Sequence, residues 1–407
     1  MKETKFKQTE VGLIPSDCEV KFLGNLCKNI SSGKNKQRID SGRYAVYGST
    51  GIIGHSDKYY YDGEAILIAR VGANAGFLNK AIGKYDVSDN TLIIEQLRAN
   101  IDFTLEYLKF YNLNKLVFGS GQPLITGGQV KALQIPLPPT TEEQKRIAQA
   151  LSDIDAVIST TEKLIAKKKA LKQGTMQTLL SGKMRIQNGK WIKTTHFKQT
   201  ELGPIPQEWE VKPMESLIKD ISDGPFGSNL KTEHYTSKQE ARIVQLSNVG
   251  EDGWNDENVK YTTFSHAKDL ARCIVPYGAI IIAKMMPAGR SIICPDDEKM
   301  YILGSDCVKF IPNDSIYSKY FIYFSKCDFY LKQIADNTQG STRARTSVSK
   351  LKKIQVLLPS KPEQTAIATV LSDMDSEIAA LETKLAKYRQ LKNGMMQQLL
   401  TGKIRLV

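Results

Sequence analysis

The chain has 407 residues, 41% of them hydrophobic, and carries a formal net charge of +13 at neutral pH. That length exceeds one ordinary core and suits two domains with connectors. The opening MKETKFKQTE is charged, no run approaches the roughly 20 apolar residues of a membrane span, and Cys18, Cys27, Cys273, Cys294, Cys307 and Cys327 form neither a C-x-x-C pair nor a zinc spacing with histidine, so a reduced cytoplasmic chain without a membrane is expected. The positive excess is spread along the whole chain. Such a distribution suits a polyanion touched at several places, and equally a merely basic soluble protein.

The chain is written twice. FKQTEVGLIPSDCEVK at 6–21 returns as FKQTELGPIPQEWEVK at 197–212, an offset of 191. The run 151–186 returns at 371–406, an offset of 220. Between these anchors, Gly63–Arg70 resembles Gly278–Lys284, Ser88-Asp89 resembles Ser305-Asp306, and Gly119-Ser120 resembles Gly340-Ser341. The drift places most of the extra length of the second copy within 222–262. One scaffold carrying two different variable middles gives this pattern.

In chain order, residues 1–140 read as a first mixed, strand-rich domain. Strands are expected at Ala65–Ala69 and Leu92–Glu95, an aromatic helix at Leu105–Tyr111, and a closing strand at Leu133–Pro139. Residues 141–183 follow as a long helix, acidic at its start, with Ile147, Leu151, Ile154, Ile158, Thr161, Ile165, Lys168, Thr175 and Leu179 along one seam. A linker is expected at 184–196. The second domain, 197–360, has strands at Ile280–Ala283 and Val308–Ile311, one aromatic helix at Tyr320–Tyr330 and a closing strand at Ile354–Pro359. A second long helix over 361–403 repeats the 4-3 spacing through Ile367, Leu371, Met374, Ile378, Leu381, Leu385, Tyr388, Met395 and Leu399, with a weak turn at Lys392. Gly182 and Gly402 end the helices in matched turns. Gly174 and Gly394 sit mid-helix, where each marks either a close helix contact or a bend, or a tolerated weak spot.

Neither helix can bury its stripe alone. The fold class expected is therefore α+β: two mixed α/β domains joined by two long helices in an antiparallel coiled coil, with an internal pseudo-twofold repeat. About 40 helical residues make a rod of roughly 60 Å, comparable to one and a half to two turns of DNA.

Signals for chemistry on this chain are lacking. There is no N-P-P-Y-type run for a flipped adenine, no Walker sequence, no metal-ligand spacing and no nuclease cluster. Asp296-Asp297-Glu298-Lys299 reads as a solvated acidic turn. No catalytic residue is assigned.

The opening F-K-Q-T-E-x-G-x-I-P, the strand end I-P-L-P-P followed by E-E-Q-K-R-I-A, the helix ending L-L-S-G-K, and the runs YGSTGIIG (47–54) and GSGQPLI (119–125) resemble type I restriction–modification specificity subunits, the HsdS family. DGPFGS (223–228) resembles the opening of another recognition-domain type in that family. The resemblance spans nearly the full chain. It departs mildly where Cys18 stands for the aromatic Trp209 and where Ser360 stands for Pro139.

The resemblance implies a non-catalytic, sequence-specific subunit that binds double-stranded DNA. Each domain would read half of a bipartite site, and the helices would set the gap and dock two modification (HsdM, adenine-N6 methyltransferase) subunits. Restriction (HsdR) subunits would join them. No cofactor would bind this chain; S-adenosylmethionine, and ATP and Mg where restriction subunits exist, would bind the partners. The alternative class is a DNA-binding or scaffolding protein acting without a methyltransferase.

By residue type, Lys34, Lys36, Arg38 and Arg43 in a polar loop, and Ser49, Arg70, Asn74 and Gln122 in glycine-rich loops, are the DNA-binding candidates of the first domain. Lys231, Arg242, Lys284, Arg290, Arg343 and Arg345 are those of the second. Ordinary solvation accounts equally well for any single one; the two matched sets point to DNA.

Overall fold

The structure is a computed structural model that describes residues 5–118, 123–297, 299–338 and 345–407. Two mixed α/β domains are built on one plan, each followed by a long helix. In the first, a four-stranded antiparallel sheet runs in the order Asn29–Ser32, Thr91–Glu95, Ala65–Ala69, Leu78–Ala81. In the second, the order Ile218–Asp223, Cys307–Pro312, Ile280–Ala283, Ser291–Ile293 is the same. A second sheet also recurs. Tyr44–Gly48 lies parallel to Lys84–Val87, as Ala241–Val244 lies parallel to Tyr301–Leu303.

The central strands are apolar on both faces because both faces are covered. Alternate residues of a strand point to opposite sides. Ile66, Ile68, Leu92 and Ile94 pack on Phe103 and Leu108 of the helix Ile101–Tyr111, whereas Ala65, Leu67 and Ile93 pack on Tyr85 and Val87 of the second sheet. The second domain repeats this division. Ile280, Ile282, Val308 and Phe310 share a cluster with Tyr320 and Phe321, and Ile281, Ala283 and Cys307 share another with Val244 and Ile302. Most of the extra length of the second copy is the strand Tyr235–Thr236 and the long link from Val244 to Tyr261, inside the window expected from the offsets; the rest is the helix Phe264–Asp269, just beyond it.

Two local expectations are corrected and one open alternative is narrowed. The segment 184–196 is a β-hairpin, Met184–Gln187 with Lys190–Lys193, turned by Asn188 and Gly189 at φ +50° and +74°. Both turn residues are left-handed, as a two-residue hairpin requires. The aromatic helix at 320–330 is two helices, Ser318–Phe324 and Asp328–Asn337, because Cys327 takes an extended backbone. A Cβ built on Gly174 or Gly394 meets nothing within 4 Å, so neither glycine serves a close helix contact. The long helices themselves span Thr141–Leu180 and Lys361–Leu399. They stop just before Gly182 and Gly402, whose φ values are +72° and +71°.

The chain divides into two compact units, residues 1–164 with 381–407, and residues 165–380. In the first unit, Ile147 and Leu151 share a core with Met396, Leu399 and Leu400, and Lys392 pairs with Asp155 and Arg389 with Glu162, each at 2.7 Å. In the second, Leu179 and Leu180 share a core with Ile367 and Leu371, Lys168 pairs with Glu377 at 2.6 Å, and Lys172 pairs with Asp375. In each unit the partner's number falls as the first helix's number rises, so the two segments run in opposite directions. Ile147, Leu151, Ile154, Ile165, Leu179, Ile367, Leu371, Ile378, Leu385 and Leu399 are buried, and Ile158, Met374 and Leu381 are half-buried. The 4-3 stripe thus faces inward, and its ends are shared with the domain cores.

An ionic clasp closes each unit. Arg185 forks onto Glu363 with Nε–Oε1 at 2.9 Å and Nη2–Oε2 at 2.8 Å, and reaches Glu208 at 2.5 Å. The Trp209 indole donates to the same Glu363 at 3.2 Å. Arg405 forks onto Glu143 at 2.5 and 2.7 Å and reaches Asp17 at 2.7 Å. Glu143 and Glu363 lie in the first turn of their helices, where a carboxylate is favoured. Cys18 fills the place of Trp209, and burial pushes its thiol up to about 11.

The Glu143 side chain is only 1% exposed. Arg405→Met therefore strands a buried carboxylate, and chemical denaturation should show a loss of about 3–5 kcal/mol. Adding Glu143→Leu should recover most of that loss, since a buried pair replaced by apolar groups is often neutral. Equal stability of wild type and the single variant would contradict the clasp.

Candidate nucleic-acid interface

One rim of each four-stranded sheet carries the same set of backbone hydrogen bonds. In the first domain, Gly33 N donates to Thr91 O at 2.9 Å, Arg70 N to Asn90 O at 3.1 Å, Ile125 N to Arg70 O at 2.8 Å and Ser88 N to Tyr47 O at 2.9 Å. In the second, Gly224 N donates to Cys307 O at 2.9 Å, Lys284 N to Asp306 O at 2.9 Å, Thr346 N to Lys284 O at 2.9 Å and Gly304 N to Val244 O at 2.8 Å. Ser32 thus corresponds to Asp223, Arg70 to Lys284, Asn90 to Asp306, and Leu124 to Arg345. This register corrects the sequence alignment of Ser88-Asp89 with Ser305-Asp306 by one residue. The glycines are required by space: a Cβ on Gly33 would stand 2.2 Å from Val87 O, and one on Gly224 would stand 1.9 Å from Gly304 O.

Around the first rim, Lys34, Lys36, Arg38, Arg43 and Asn74 are exposed, and Ser49 is half-buried in the turn between Tyr44–Gly48 and Gly51–Ser56. Arg70 is half-buried; its Nη1 donates to Ser32 Oγ at 2.5 Å and its Nε is buried without a partner. In the second domain Lys231 is exposed, and Arg290 is half-buried with its Nε donating to Pro287 O at 3.3 Å. Gln122 and Arg343 lie outside the described residues.

Two cations expected on the surface are drawn inward. Arg242 has a side chain 2% exposed, pairs with Asp256 at 2.6 Å and lies over the Trp254 ring at 5.2 Å. It occupies the strand Ala241–Val244, buried along its whole length, so its guanidinium is committed to the sheet interior. Lys284 is buried and pairs with Asp223 at 2.9 Å.

Lys284 and Arg345 meet in one open pocket of about 540 Å³, lined also by Asp223, Gly224, Phe226 and Asp306. Arg345 pairs with Asp306 at 2.9 Å. Phe226 is 77% exposed. Residue type had picked only the cations here. Asp223 and Asp306 add acceptors to the same pocket, a residue type that base edges call for as well as donors; the D-G-P-F-G-S run marks Asp223 and Phe226 in the sequence. Among the described residues, no group of three or more His, Cys, Asp or Glu is placed to hold a metal, and no helix is long and apolar enough to cross a membrane.

Residues 15–171 and 206–390 match the family described as type I restriction modification DNA specificity domain. The chain is 27% identical over 432 residues to the type I restriction enzyme MjaVIII specificity subunit of Methanocaldococcus jannaschii, covering 100% of this chain and 97% of that protein. It is 28% identical over 160 residues to the type I restriction enzyme EcoprrI specificity subunit of Escherichia coli, covering 37% and 38%. The fold is similar to the crystal structure of a type I restriction–modification S subunit from M. genitalium, with a TM-score of 0.59 at 16% identity over 97% of this chain and 98% of that one.

An aromatic ring this exposed contributes little to folding. Phe226→Ala should change stability by no more than about 0.5 kcal/mol while weakening DNA binding several-fold, read by thermal denaturation and fluorescence anisotropy on one preparation. Unchanged DNA affinity would remove the pocket from the interface.

Proposed function

The chain belongs to the type I restriction–modification DNA-specificity family, and on that premise we propose that it reads a bipartite site in double-stranded DNA, one half through each domain. The observation that carries this reading is the rim: identical backbone bonding in both domains, with different side chains at the corresponding positions. A duplicated scaffold with divergent rims is what two readers of different half-sites require.

The long helices act as the spacer, an antiparallel coiled coil of roughly 60 Å. The clasps support this role, because they tie the base of each domain to the helix ends. Two modification subunits dock on the two equivalent helix surfaces and supply S-adenosylmethionine and the methylation of adenine N6. Restriction subunits, with ATP and Mg, join where present. This chain supplies no catalytic group; it binds and positions, and it works in the cytoplasm.

Exchange of residues 22–130 for the equivalent region of a relative should alter one half of the methylated motif and spare the other half and the gap. A change in both halves would end the idea of independent readers. The spacer is tested by inserting seven residues after Ala166 and seven more after Ala386, which keeps the seam in phase. About 10 Å of added helix should lengthen the gap by roughly three base pairs. A folded double insertion that still methylates the original spacing would show that the helices do not set it.

A further inference from the structure

We propose that the second domain reads a G·C base pair in the major groove through the adjacent side chains of Asp306 and Arg345. The proposal rests on the reading of each domain as a half-site reader.

The first ground is the comparison between the two rims. The bonds that hold this region are made by backbone atoms and recur in both domains. The frame of the rim is therefore set by main-chain atoms. Yet the first domain has Ser32, Arg70, Asn90 and Leu124 where the second has Asp223, Lys284, Asp306 and Arg345. Constant frame and changed side chains are what a position selected by its ligand looks like.

The second ground is the chemistry of the pair. Arg345 Nη2 lies 2.9 Å from Asp306 Oδ1, and the two side chains are 48% and 32% exposed. They present a donor fork beside an acceptor. A G·C pair shows guanine N7 and O6, both acceptors, next to the cytosine N4 donor. The guanidinium spans N7 and O6 while the carboxylate accepts from N4. An A·T pair sets a donor, adenine N6, where the fork needs an acceptor, and so is rejected.

The third ground is the charge of the pocket, which argues against a phosphate. Lys284 already has Asp223 at 2.9 Å, and Arg345 has Asp306. Two carboxylates face any anion that enters, whereas a phosphate clamp needs cations with unspent charge. The pocket also keeps a polar group in reserve: the buried Thr346 hydroxyl lines it and has no hydrogen-bond partner. Lys284 is a positioning residue here, holding Asp223 and the start of the Phe226 loop against the rim.

The test is selection from a randomised duplex library by the full chain, together with the subunits that co-purify with it. Wild type is compared with Arg345→Leu, with the near-isosteric Asp306→Asn, and with the double variant that installs the first domain's residues. Thermal denaturation checks that each is folded. Expected is relaxation at one G·C position of one half-site, with discrimination there falling about 10- to 100-fold, and with the other half-site and the gap intact. Uniform weakening on all sequences would mark Arg345 as a phosphate contact and overturn the proposal. So would a two-part motif that survives unchanged in every folded variant, which leaves the half-site reading standing. A wild-type selection without a two-part motif overturns the half-site reading and this proposal with it.

Discussion

A carboxylate buried in the first turn of each long helix, held by an arginine that follows the end of the other helix, is the constraint on which the rest of the structure depends. Glu143 and Glu363 are each 1% exposed. A charge so placed is tolerable only with a partner of fixed geometry, and the guanidinium fork supplies two parallel hydrogen bonds. The partners lie 262 and 178 residues apart in sequence. Each clasp therefore ties a distant segment to the foot of a domain and fixes where a helix begins relative to where its neighbour ends.

Above that foot, the frame is carried largely by main-chain atoms. Backbone bonds and doubly covered apolar strands make the sheets and their rims, twice, in the same order. The rim side chains are what differs. A scaffold secured by main-chain atoms can change what it recognises without reopening its core.

Much of this was legible in the sequence, because repetition and periodicity are properties of residue order. The two copies, the 4-3 stripes and the extra length early in the second copy all follow from it. The hairpin at 184–193 was missed although Asn188-Gly189 is a strong turn signal; its second strand is fully exposed and shows no alternation. The setting of a charge is hard to read where its partner is remote. Arg242 and Lys284 look like surface cations until Asp256 and Asp223 are placed beside them, and no local pattern announces a contact across 61 residues. The rim register slipped by one because Ser-Asp recurs nearby by coincidence, whereas hydrogen bonds count residues without ambiguity. The break falls on the short polar stretch Ser325-Lys326-Cys327-Asp328 between two aromatic runs, where Cys327 takes an extended backbone.

The division of the chain sets an order in time. Unit two is one continuous stretch, 165–380, whereas unit one joins 1–164 to 381–407. Closing so long a loop adds little at equilibrium, since its entropy grows only with the logarithm of length. Synthesis is another matter: at about 5–20 residues per second, the stretch between the two parts of unit one occupies the ribosome for on the order of 10–45 s. The domain made first is thus the one finished last. Through that interval Ile147 and Leu151 stand without Met396, Leu399 and Leu400 to cover them, and the nascent chain carries an open apolar face until that segment is made.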